Sequence, residues 1–141
     1  MWSRPNWARG RQLDRSDATA YSIDRRTGRL ALLNRESTGG YNPVHLALDA
    51  NGAFLAVANY GSDSLAVLPI RADGRLAPYS TLTPIGGTLG PHRVQQRNMA
   101  PHHIPLDRQG RFFYVPCKGS DCVVAYRLDE RRRVLVEAAQ A

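Results

Sequence analysis

Apolar residues in this chain come in short runs cut by polar, glycine-containing turns, a spacing that suits strands rather than helices. Val44-His45-Leu46-Ala47-Leu48 stops at Asp49-Ala50-Asn51-Gly52. Such a turn offers a carboxylate for local hydrogen bonds and a glycine where positive φ is needed. Ala53-Phe54-Leu55-Ala56-Val57-Ala58 follows, a continuous apolar run as expected of a strand covered on both faces. Gly61-Ser62-Asp63 turns the chain into Leu65-Ala66-Val67-Leu68-Pro69-Ile70. Ala72-Asp73-Gly74-Arg75 turns it again, into a weaker fourth segment beginning at Leu76.

The pattern then repeats. Pro43 to Ile70 slides onto Pro101 to Leu128 at a constant shift of 58 residues, without a gap. Pro43, His45, Leu48, Asp49, Gly52, Phe54 and Val57 fall on Pro101, His103, Leu106, Asp107, Gly110, Phe112 and Val115. Gly61-Ser62-Asp63 falls on Gly119-Ser120-Asp121. The second copy predicts strands at His103–Leu106, Arg111–Val115, Cys122–Leu128 and Val134–Glu137. Upstream, Ala20–Asp24 and Leu30–Leu33, joined by the turn Arg25–Arg29, read as the third and fourth strands of a preceding unit. Four antiparallel strands per unit, apolar on both faces, make a β-propeller blade, because neighbours stack on each side of it. The expected fold is all-β, with about two and a half blades. Closed propellers carry about four to eight, so 141 residues are expected to supply part of a ring.

Composition narrows the partners. Twelve Gly and nine Pro supply the turns, and 43% hydrophobic content excludes a disordered chain. Nineteen Lys and Arg against twelve Asp and Glu give a net charge of +7. Much of the excess sits at the ends, in Arg4, Arg9, Arg11 and Arg15 and in Arg131, Arg132 and Arg133. No basic stripe interleaved with aromatics appears, so no nucleic-acid partner is expected. No apolar run approaches the roughly 20 residues of a spanning helix, so no membrane partner is expected either. Met1 to Arg11 lacks an apolar signal-peptide core, which makes the cytoplasm the expected compartment. Cys117 and Cys122 are five apart and no histidine completes a zinc pattern, so neither metal nor cofactor is expected. Residues 1–18 read as an arginine-rich tail and residues 19–141 as the partial propeller.

Thr38-Gly39-Gly40-Tyr41-Asn42-Pro43-Val44-His45-Leu46-Ala47-Leu48-Asp49, then Val57-Ala58-Asn59-Tyr60-Gly61-Ser62 and Leu65–Ile70, resemble the seven-bladed lactonase family. This is the propeller-type 6-phosphogluconolactonase group. Pro101-His102-His103-Ile104, Gly110-Arg111-Phe112 and Val115-Pro116-Cys117-Lys118-Gly119-Ser120-Asp121 resemble that family's next blade. The chain differs from the family's usual pattern at Ala100-Pro101-His102, where His-Pro-His is common, and at Gln95-Gln96, where Arg-Gln is common. It differs again at Pro116-Cys117, in place of Pro-Asp. The resemblance implies a lactone hydrolase that converts 6-phosphogluconolactone to 6-phosphogluconate in the pentose phosphate pathway. The substrate would be a sugar lactone or another small anionic molecule. The alternative is a non-catalytic propeller fragment or interaction module, self-associating through exposed blade faces.

Opening a lactone needs an activated water, a group that stabilises the tetrahedral oxyanion and a cation for the anionic substituent. His102 matches the family's retained histidine and is the catalytic candidate. His45 and His103 recur at one place in both units and are read as substrate-binding or as architecture. Asn59, where a strand ends at the Asn-Tyr-Gly turn, and Lys118, at the corresponding turn of the next copy, are read as substrate-binding candidates. Lys118 suits an anionic group. Arg93 and Arg97, in the Gly- and Pro-rich connection, suit a bidentate phosphate clamp unless that connection is disordered. Asp63 and Asp121 are expected to bond backbone N–H groups of their own turns, and Asp49 and Asp107 to form turns.

Overall fold

A computed structural model describes residues 16–141 and arranges them as three antiparallel sheets stacked in chain order. The bulk of the arginine-rich tail lies outside these residues. The first sheet pairs β1 (Asp17–Ile23) with β2 (Leu30–Ser37). The second is a complete four-stranded blade in sequential order: β3 (Pro43–Leu48), β4 (Phe54–Asn59), β5 (Ser64–Pro69) and β6 (Thr81–Pro84). The third joins β7 (Phe113–Cys117), β8 (Cys122–Asp129) and β9 (Val134–Gln140). β1 takes in Asp17 and Ala18, which the pattern assigned to the tail; Ala18 is buried against the second sheet.

The central blade is buried on both faces, which explains the uninterrupted apolar runs of β4 and β5. Leu55, Val57, Ala66, Leu68 and Leu76 pack with Ala18 and Ala20 of the first sheet. Ala56, Ala58, Leu65 and Val67 pack with Phe113, Val115, Val124, Tyr126 and Leu135 of the third. Successive residues of a strand point to opposite faces, so the two clusters are the two sides of one sheet. The 58-residue shift carries Leu55, Val57, Ala66 and Leu68 onto Phe113, Val115, Val124 and Tyr126. Each blade therefore presents the same set of positions to the blade before it.

Two expected strands differ. His103–Leu106 forms no continuous ladder. It runs beside β7 through isolated bridges at Pro101–Cys117 and Leu106–Phe113, with Pro105 O accepting from Tyr114 N at 2.9 Å. Pro101 and Pro105 have no N–H to donate, and that interrupts the pairing. The fourth strand of the central blade lies at Thr81–Pro84 rather than from Leu76. Leu76 makes one bridge, to Ile70, and its backbone is taken by Asn34 of β2. Asn34 Nδ2 donates to Leu76 O at 2.9 Å and Leu76 N donates to Asn34 Oδ1 at 3.0 Å.

The aspartates divide by role. Asp49 accepts from Asn51 N and Phe54 N, and Asp107 from Arg111 N and Phe112 N, so both close their turns as expected. Asp63 does not serve its own turn. Its Oδ1 accepts from Asn98 Nδ2 and Ala100 N, both at 2.9 Å, and holds the lead-in to the next blade. Asn42 and Ala100, 58 apart, both take positive φ at that lead-in, at 50° and 51°. The crossing connection is thus ordered where it meets the blades.

Candidate active site

Loops at one end of the blades gather Tyr60, Gln95, Gln96, Lys118 and His102. Tyr60 opens a single 3-10 turn, Tyr60–Ser62, just after β4. Lys118 holds the same place after β7, since the 58-residue shift carries Tyr60 onto Lys118. Lys118 Nζ lies 2.6 Å from Gln95 Oε1 and 3.5 Å from the Tyr60 hydroxyl. The His102 ring stands edge-on to Tyr60, centroids 5.6 Å apart. His102 N donates to Pro116 O at 3.0 Å and Lys118 N to Ala100 O at 3.2 Å, so backbone bonds fix both residues against β7.

Gln96, nearly buried, holds the connection in place. It accepts from His92 N at 2.8 Å and donates to Lys118 O at 3.2 Å. A Cβ on Gly90 would meet the Gln96 amide and force that side chain to give up its present position. Gly119 is constrained more strictly, because a Cβ there would run into the backbone carbonyl oxygen of Asn98, which cannot swing aside. An open cleft of about 380 Å³ results, lined by Pro91, His92, Gln95, Gln96, Lys118 and Asp121; Tyr60 and His102 lie outside that lining and join it through Lys118 and the Tyr60–His102 ring contact. Lys118 and His102 are exposed at this end of the molecule. Together they offer a cation, a phenol hydroxyl, an amide and an imidazole, which are the donors and base that acyl transfer to water requires.

The other residues predicted for a site are not among those that line the cleft. Asn59 is fully buried beneath the loops, where no ligand reaches it. Its Nδ2 donates to Thr38 O at 3.2 Å and Ser64 Oγ at 3.3 Å. Its Oδ1 has no partner among the described residues. Asn59 supports the loop end rather than lining the cleft. Arg93 and Arg97 are exposed, and Arg97 Nε donates to Arg93 O at 3.1 Å. His45 and His103 form a pair of their own, with ring centroids 3.7 Å apart. His45 Nδ1 accepts from Ile104 N at 3.3 Å across the blade boundary, an architectural contact. Burial, and secondarily the His103 charge, hold the His45 pKa below its ordinary value. Cys117 is a buried thiol pushed up to about 11 by burial, then by Cys122 and Asp63. Tyr60 and Gln95 were not named as site candidates from sequence, although Gln95 stands out there as a departure from the family pattern. Strict use of the 58-residue shift pairs Tyr60 with Lys118 and would have found the tyrosine. Gln95 has no counterpart in the other copy.

Stacked blades with polar loops gathered at one end define a piece of a β-propeller whose chemistry sits on its loop face. The chain belongs to the lactonase family of seven-bladed β-propellers, whose family model matches residues 7–141. The 6-phosphogluconolactonase of Formosa agariphila is 28% identical over 124 residues, 86% of this chain and 35% of that protein. That of Bacillus subtilis is 30% identical over 112 residues, 79% of this chain and 31% of that protein. The solved structure of the periplasmic gluconolactonase of Pseudomonas aeruginosa superposes with a TM-score of 0.75 at 31% identity, covering 84% of this chain and 34% of that one. The chain thus spans about a third of the length of the relatives it matches.

Proposed function

We propose that the loop face of this chain binds and opens a sugar lactone, with 6-phosphogluconolactone as substrate and 6-phosphogluconate as product. This is the ring-opening step of the pentose phosphate pathway. The convergence of Lys118, Tyr60, Gln95 and His102 on one exposed end carries the reading. His102 takes a proton from water as the water oxygen attacks the lactone carbonyl carbon. Negative charge then develops on the carbonyl oxygen, and the Lys118 ammonium and Tyr60 hydroxyl stabilise it. The ring C–O bond breaks as the carbonyl re-forms, and the leaving alkoxide takes the proton back from His102. The positive charge of Lys118 also draws an anionic substrate toward the cleft.

The test is hydrolysis of 6-phosphogluconolactone by the purified 141-residue protein, set against the spontaneous rate in the same buffer. Acceleration is expected, and His102→Ala should lower kcat by roughly 10²–10⁴-fold, the usual worth of a positioned base. Folded protein that matches buffer alone would overturn the reading.

A second reading, an interaction module without catalysis, is favoured by a different observation. The outer faces of the first and third sheets carry exposed large apolar residues, among them Tyr21, Ile23, Leu30 and Leu32 on one and Tyr114, Val123 and Val136 on the other.

A further inference from the structure

The repeat states what each open blade face is shaped to meet. Within the chain, Phe54, Ala56, Ala58, Leu65 and Val67 of the central blade pack against Phe113, Val115, Val124 and Tyr126 of the third. Shifted by 58 residues, the first set becomes Phe112, Tyr114, Pro116, Val123 and Ala125. These lie on the opposite side of the third sheet, with Tyr114 paired to Ala125 and Pro116 to Val123 across β7 and β8. Tyr114 and Val123 are each 42% exposed. Arg127 spreads over Phe112 on the same face, 4.9 Å from the ring centroid.

The first sheet shows the complementary face. Ser16 O accepts from Thr38 N after β2, just as Asp63 O accepts from Ile85 N after β6, so Ser16 stands where Asp63 does. Ala18 and Ala20 then correspond to Leu65 and Val67, and they cover the central blade as those residues cover the third. Tyr21 follows Ala20 in the strand and points away from the central blade. It corresponds to Leu68 and to Tyr126, residues that each blade turns toward its predecessor. Tyr21 pairs with Leu32 and Ile23 with Leu30, and all four large apolar side chains are exposed.

We propose that the outer face of β7 and β8 docks the outer face of β1 and β2 of a second copy of this chain, head to tail, in the manner of one blade on the next. The inference stands independently of the lactonase reading. Both faces are of the kind that meets at the boundary between the central and third blades. The contact is heterologous: one surface of each copy meets a different surface of the other.

A heterologous contact has a signature that general stickiness lacks. Tyr21→Lys and Val123→Lys each place a charge on one face only, at positions exposed enough to leave the fold intact. Light scattering after size exclusion should show concentration-dependent association of the unmodified protein, with each variant monomeric at the same concentration. Equimolar mixing of the two variants should restore association, but only to a 1:1 dimer. One intact Val123 face, on the Tyr21→Lys chain, then meets one intact Tyr21 face, on the Val123→Lys chain. Circular dichroism melting of each variant checks that folding is retained. An unmodified protein that stays monomeric at about 100 µM, roughly a hundredfold above a micromolar Kd, would overturn the proposal. So would variants that still associate while folded, or a mixture of folded variants that remains monomeric.

Discussion

Single residues decide how the blades are joined, and three of them give sharp expectations. Asp63 holds a positive φ of 50° and accepts two hydrogen bonds from the lead-in to the third blade, one of them from the backbone of fully buried Ala100. Asp63→Ala strands both donors and should cost about 1–3 kcal/mol in urea unfolding. Asp63→Asn keeps an acceptor oxygen and tolerates the left-handed backbone, so its loss should be smaller. Gly119→Ala should be worse than either, because its Cβ would meet a backbone carbonyl that cannot swing aside. The expected result is loss of cooperative unfolding by circular dichroism.

His45 gives a pH signature. Its imidazole must be neutral at Nδ1 to accept from Ile104 N, and its pKa in the fold lies below the ordinary 6.5. The unfolded chain therefore binds more protons than the folded one as pH falls through 6.5. Stability is fully present above that value and declines below it, levelling off once the folded form also protonates. Urea midpoints at pH 7.5 and about 5.5 should differ more for the wild type than for His45→Asn, which lacks the titrating ring.

At the scale of elements, burial on two faces separates positions that look alike in sequence. Leu68 in β5 is fully buried, while Leu46 in β3 of the same sheet is 54% exposed. Leu68→Ala should cost about 2–5 kcal/mol. Leu46→Ala should stay within about 0.5 kcal/mol. A comparison of the two denaturation midpoints checks this.

The first three strands of the central blade were legible because continuous apolar runs and turn residues coincide there. Phe54 begins β4 where the Asp49 carboxylate takes its N–H, a turn the sequence displays openly. The first strand of the third blade was not legible as a broken one. Its apolar residues match the repeat, but Pro101 and Pro105 remove the donors a ladder needs. The fourth strand shifted past Leu76 for a tertiary reason, the capture of that residue's backbone by Asn34, 42 positions earlier in the chain. Local pattern carries no trace of such a contact. The same limit applies to the loop end. His102 and Lys118 could be read from sequence, but Gln95 joins them only because the crossing connection folds back onto β7. Asn59 looked like a ligand-facing turn residue and is instead a buried brace.

Across the whole molecule, the repeat explains both what is closed and what is open. The central blade is complete because it has a neighbour on each side, and among the described residues the outer sheets each keep one apolar face uncovered. Membership of the seven-bladed lactonase family fits this stacking, with the chain matching about a third of its relatives' length. The central claim concerns the loop end that stacking creates, where Lys118 and His102 are held on β7 by backbone bonds. The most direct measurement is the rate of 6-phosphogluconolactone opening as a function of its concentration, for the wild type and for Lys118→Met. Saturable hydrolysis above the buffer rate is predicted for the wild type, with Lys118→Met raising KM and lowering kcat/KM at least tenfold, the equivalent of about 1.4 kcal/mol. Folded wild-type protein that leaves the lactone to open at its spontaneous rate, or a Lys118→Met curve that overlays the wild type, would contradict the account.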